Sequence, residues 1–129
     1  MCRCILKVFR RIAILFVVVA LIVAMPLSAF AASASRTIPY NGYNYDCYAQ
    51  CGSSTAYAST ETDCASSQIR AKATVYYGSE IVQWDDSGYV YGTASVYLTG
   101  LDTHNKLVSE HYVYSVDGYV RLLTQTVYC

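Results

Sequence analysis

From Gln68 to Tyr77 the chain alternates with a period of two, and this pattern constrains the fold more than any other feature. Ile69, Ala71, Ala73, Val75 and Tyr77 fall on one side, and Arg70, Lys72, Thr74 and Tyr76 on the other. Side chains of a β-strand point alternately to its two faces, so this is a half-buried strand with a wet outer side. Gly78 ends it. Glu80 to Trp84 reads as a second, shorter strand, closed by the turn-forming run Asp85-Asp86-Ser87-Gly88. Tyr89 to Thr99 alternates again, with Val90, Gly92, Ala94, Val96 and Leu98 inward and Tyr89, Tyr91, Thr93, Ser95 and Tyr97 outward.

Leu107 to Val116 and Tyr119 to Cys129 flank Asp117-Gly118. Asp-Gly between alternating segments predicts a tight hairpin of type I′, whose two central residues need positive φ. Upstream, Tyr43, Tyr45 and Cys47 alternate and suggest a first strand. Ser53 to Thr62 is a weakly hydrophobic Ser/Thr/Ala segment that reads equally as an exposed strand or a loop. No helical period runs longer than two turns, and no proline follows Pro39 to bar a central strand. These segments predict an all-β fold, a small disulfide-stapled β-sandwich or barrel-like sandwich of six to eight antiparallel strands. The small inward residues Ala71, Ala73, Gly92 and Ala94 imply that the layers approach closely there.

The first 31 residues read differently. Arg3, Lys7, Arg10 and Arg11 form a basic start, and Ile12 to Met25 is an apolar run of 14 residues. Pro26 and the small residues around Ser28-Ala29-Phe30-Ala31 complete a cleavable signal peptide. A membrane anchor needs about 20 apolar residues, so cleavage after Ala31 is expected. Cys2 and Cys4 precede the apolar run and leave with it. Residues 32–38 read as a flexible lead-in, and residues 39–129 as one secreted β domain with no membrane anchor. The basic start and long apolar run lean towards a Gram-positive bacterium.

The whole chain carries nine basic and nine acidic residues. Four of the basic residues lie in the leader, so five against nine remain afterwards, a net charge near −4. Nucleic-acid binders need a basic stripe, and none is present. The same charge argues against a cationic membrane-active peptide.

Cys47, Cys51, Cys64 and Cys129 remain, an even number in a short exported chain, which reads as a disulfide framework. Cys47 and Cys51 would stand about 13 Å apart along a strand, too far to bond to each other. The preferred pairing is Cys51–Cys64 with Cys47–Cys129; the crossed alternative is Cys47–Cys64 with Cys51–Cys129. With no CxxC pair, zinc is not expected, and neither is any other metal or cofactor.

Catalysis finds little support. There is no Gly-x-Ser-x-Gly, and His104 and His111 are the only candidate bases. His104 falls in a polar turn and His111 on a strand, and both read as structural. Asp85-Asp86 resembles part of a calcium loop, but the required acid a dozen residues on is Tyr97. The chain is expected not to be an enzyme.

Fourteen tyrosines stand out instead. Tyr89, Tyr91 and Tyr97, extended by Tyr76 from a neighbouring strand, are the candidate contact surface. Tyrosine offers an apolar ring and a hydroxyl with little entropy to lose. The competing reading is an aromatic ladder that stabilises the sheet. The function expected is a secreted, non-catalytic binding protein acting on cell-envelope glycan or a surface protein. One alternative is a bacteriocin-like antagonist: in composition the chain is similar to bacteriocins of the lactococcin type. Its disulfides and acidic charge depart from that pattern, and no residue role is carried over. The other is an enzyme inhibitor presenting Ser53 to Asp63 as a loop.

Overall fold

The computed structural model describes residues 32–129; the leader expected over residues 1–31 lies outside them. Nine strands form two antiparallel sheets, β1 (Ala32–Tyr40), β2 (Tyr43–Cys51), β3 (Ala56–Thr62), β4 (Gln68–Tyr77), β5 (Glu80–Asp86), β6 (Val90–Tyr91), β7 (Thr93–Leu98), β8 (Lys106–Ser115) and β9 (Gly118–Tyr128). Sheet A runs β1-β2-β3-β7. Sheet B runs β5-β4-β8-β9, with β6 pairing the start of β4 beyond the end of β5. No helix occurs among the described residues, and the all-β sandwich is the architecture that the alternation predicts.

Residues 32–38, read as a flexible lead-in, form most of β1 and pair with β2 along its whole length. The signal for this lies in the turn. Asn41 and Gly42 have φ of 51° and 80°, and Tyr40 pairs with Tyr43. This is the two-residue hairpin that Asn-Gly favours. Pro39 is tolerated because β1 is an edge strand. At the expected Asp117-Gly118 hairpin, Ser115 pairs with Gly118, and only Gly118 has positive φ. The turn residues are therefore Val116 and Asp117. Asp117 is instead a tie between hairpins, its carboxylate accepting from Asn41 and from the Tyr40 hydroxyl at 3.2 Å.

The expected strand Tyr89–Thr99 is broken at Gly92, where φ is +81°. Val90–Tyr91 pairs with β4 in sheet B, whereas Thr93–Leu98 pairs with β3 in sheet A. Gly92 is an exposed bend and not an inward residue. Glycine takes this left-handed conformation without the penalty of a Cβ, and there the chain passes from one sheet to the other. Ser53–Thr62 holds β3, a central strand between β2 and β7, so Ser53–Asp63 is not a presented loop. Its low hydrophobicity misleads because Ala56 and Ala58, small but fully inward, provide its core face.

Between the sheets Tyr45, Ala49, Val96 and Leu98 meet Ile69, Val75, Leu107 and Val113. Ala71, Ala73 and Ala94 are buried as expected. The disulfide is Cys51–Cys129, with the Cα atoms 5.1 Å apart. The preferred pairing is therefore corrected on both bonds, and the crossed alternative is right for one. The reason is register. Cys51 pairs with Ala56 at one end of the β2–β3 hairpin, while Cys64 follows Thr62, the partner of Tyr45, at the other end. Six residues of strand, roughly 20 Å, separate the two ends. Cys47 and Cys64 are free and buried. Burial, with some help from Asp46, pushes the Cys47 thiol up to about 12, which keeps it protonated and unreactive. Hydrogen bonds from the Ser66 and Ser67 hydroxyls draw the Cys64 thiol below its ordinary value.

Candidate functional site

The four tyrosines predicted to share a surface do not share one. Tyr97 lies on the outer face of sheet A, while Tyr76, Tyr89 and Tyr91 belong to sheet B or its margin. The switch at Gly92 accounts for the separation. Both Tyr91 and Tyr97 are well exposed, 62% and 63%, but they face away from the sandwich on opposite sides. Each outer face therefore has to be weighed separately.

The outer face of sheet B is a self-satisfied surface. Tyr89, Tyr114 and Tyr119 form a cluster with ring centroids 4.4–6.1 Å apart. Arg70 lies over Tyr89 and Tyr112 and pairs with Asp86 at 2.7 Å. That guanidinium holds the Asp86 carboxyl below its usual range, helped by the Gly88 amide. Glu110 is approached by Lys72 and Arg121 and accepts from the Tyr112 hydroxyl at 2.8 Å. Lys106 lies over Tyr76 and Lys72 over Trp84. Nearly every charge on this face already has a partner within the protein.

Sheet A is built otherwise. Its register aligns three rows across all four strands. The first row is Thr37–Asp46–Glu61–Thr93, the second Ser35–Tyr48–Ser59–Ser95 and the third Ser33–Gln50–Tyr57–Tyr97. Alternation fixes their direction, because the intervening residues Cys47, Ala49, Ala58, Thr60, Ala94 and Val96 are buried between the sheets. None of the twelve outward positions is aliphatic, and none is lysine or arginine. Tyr48, Tyr57 and Tyr97 make a ladder across three strands, with centroids 5.9 and 6.3 Å apart. Tyr48 donates to Gln50 Oε1 at 3.1 Å, and Thr37 donates to Asp46 Oδ1 at 2.7 Å. Beside the acidic row opens a cleft of about 570 Å³ lined by Thr37, Asn44, Asp46, Glu61, Thr62, Asp63, Gly92 and Thr93. No family model, curated protein or solved structure matches this chain.

The two histidines are held structurally. His104 lies between the carbonyl oxygens of Asp102 and Gly52, at 2.6 and 2.7 Å, beside the disulfide. Its ring and the two disulfide sulfurs lie within 4.8 Å of one another, but the sulfurs are bonded to each other. His111 is wholly buried between the sheets, with Nδ1 at 2.8 Å from Thr60 Oγ1 and Nε2 at 3.0 Å from Ser109 Oγ. Thr60 donates its own proton to the Arg70 carbonyl. The hydroxyl must then accept from Nδ1–H, leaving Nε2 to accept from Ser109, a neutral tautomer assigned from the network. Burial drives the imidazole down to about 4. Such a group holds the two layers together and is out of reach of any substrate.

Sequence reasoning missed Asp46, Tyr48, Tyr57, Ser59 and Glu61. One signal was present: Asp46, Tyr48 and Gln50 occupy the polar phase of the alternation that has Tyr45, Cys47 and Ala49 as its buried phase.

Proposed function

We propose that this chain is a non-catalytic binding protein that works in an oxidising compartment outside the cytoplasm and holds glycan on the outer face of sheet A. The observation that carries the reading is the three-row face itself. Its tyrosine ladder offers ring surface to the apolar faces of sugars, and its hydroxyls, amide and carboxylates offer partners for sugar hydroxyls. The rings sit on a rigid sheet, so little entropy is lost on contact. The Cys51–Cys129 bond supports the compartment, since disulfides persist where thiols are not kept reduced. Sheet B is the weaker candidate because its polar groups are engaged with one another.

Co-sedimentation of the oxidised protein with purified bacterial cell walls tests this. Tyr57→Ala combined with Tyr97→Ala is expected to lower the bound fraction at least tenfold. Tyr91→Ala combined with Tyr119→Ala, on the other side, is expected to leave it unchanged. Circular dichroism checks that both variants fold. Binding that survives the first pair and disappears with the second moves the site to sheet B. An absence of binding by the unaltered protein at micromolar concentration removes the envelope reading.

A further inference from the structure

The carboxylate row of sheet A has a specific chemical consequence, which rests on the glycan reading above. We infer that this face selects glycan whose amino groups are free, such as de-N-acetylated hexosamine, over the N-acetylated or neutral form. Asp46 and Glu61 are directly opposed on neighbouring strands, an arrangement that destabilises a sheet when both are charged. Asp63 joins them in lining the cleft. The ion pairs among the described residues, Arg70–Asp86, Lys72–Glu110 and Arg121–Glu110, all lie on the other sheet. Among the described residues, these three acidic groups thus face solvent together without an ion pair to any cation.

Two further observations bear on the occupant. First, among the described residues these carboxylate oxygens do not converge within 4.8 Å as a set of three. They therefore do not form a compact three-carboxylate site for a single ion. Second, Ser59 stands on this face beside Glu61 in its own strand and between Tyr48 and Ser95 across strands, yet it is only 5% exposed. Its hydroxyl, at the junction of the tyrosine ladder and the acidic row, is placed to bond a ligand that covers both. A sugar chain fits that demand. Its rings lie along Tyr48, Tyr57 and Tyr97, a hydroxyl reaches Ser59, and an ammonium meets Asp46 and Glu61 as charge-assisted partners.

The test uses the full oxidised protein and two soluble probes, a glucosamine hexasaccharide and its N-acetylated counterpart, with a lysine hexapeptide as control. Calorimetry at low salt is expected to show the glucosamine probe bound at least tenfold more tightly than the acetylated one. Asp46→Asn with Glu61→Gln should remove that preference, lowering the affinity for the glucosamine probe at least tenfold. Equal affinity for both sugars, or a preference that survives the double substitution, overturns the amine selectivity but leaves the glycan reading intact. Failure to bind either sugar overturns both readings. Binding of the lysine peptide alone does the same and points to a basic protein partner.

Discussion

Removing the Cys51–Cys129 bond is expected to cost this domain about 4.5 kcal/mol, the chain-entropy value for the closed loop. The bridge spans 78 residues of sequence, so it constrains most of the described chain when unfolded. It also joins the end of β2 in sheet A to the residue after β9 in sheet B, and so ties the two layers together as well as closing the loop. Small domains have a total stability of roughly 5–15 kcal/mol, and the loss is therefore a large share of it. Urea unfolding of the oxidised protein and of the Cys51→Ser, Cys129→Ser variant measures the difference. A loss below about 1 kcal/mol would contradict the account. Thiol labelling after denaturation without reductant should modify Cys47 and Cys64 and spare Cys51 and Cys129. Modification of Cys51 would mean that the register-derived pairing is wrong.

Acid should weaken the same domain through His111. Its folded value of about 4 lies below the ordinary 6.5, because burial penalises the charged ring. The neutral form is thus favoured by folding, and the unfolded chain binds the proton more readily. Stability is full above about pH 6.5 and falls as the pH drops towards 4, where the folded ring finally protonates. A gap of that size corresponds to about 3 kcal/mol. Asp86, held low by Arg70, adds a loss that develops mainly at lower pH, as the pH falls through its depressed folded value. Unfolding curves between pH 8 and 4.5 should show the decline, and His111→Gln should flatten it. A flat profile for the unaltered protein would mean that the buried ring is not neutral or not buried.

Much of this architecture was legible in the sequence wherever period-two alternation involved large residues. β4 has the bounds that Gln68–Tyr77 predicts, and β8 and β9 differ by a residue at their ends. Alternation was harder to read where the inward side chains were small. β1 has Ala32 and Ala34 inward and reads as a flexible lead-in, and β3 has Ala56 and Ala58 inward and reads equally as an exposed strand or a loop. The sheet switch could not be read from the pattern, since Gly92 keeps the alternation in step while its positive φ redirects the chain.

The candidate face shows the same division. Tyr97 was recognisable as an outward tyrosine, but its true neighbours, Tyr57 and Tyr48, are 40 and 49 residues away in sequence. Cross-strand rows exist only after the strand order is fixed. Cysteine pairing failed for a related reason: spacing excludes a Cys47–Cys51 bond but says nothing about which end of a hairpin each thiol occupies.

The central claim is that the outer face of sheet A, and not that of sheet B, is the binding surface. Amide chemical-shift mapping of the oxidised, isotope-labelled protein, titrated with soluble cell-wall glycan fragments, tests it most directly. The account predicts shifts concentrated along Asp46–Gln50, Tyr57–Glu61 and Thr93–Tyr97, with Arg70, Tyr89, Tyr114 and Tyr119 unmoved. Shifts confined to the latter group, or no shifts at saturating glycan, would contradict it.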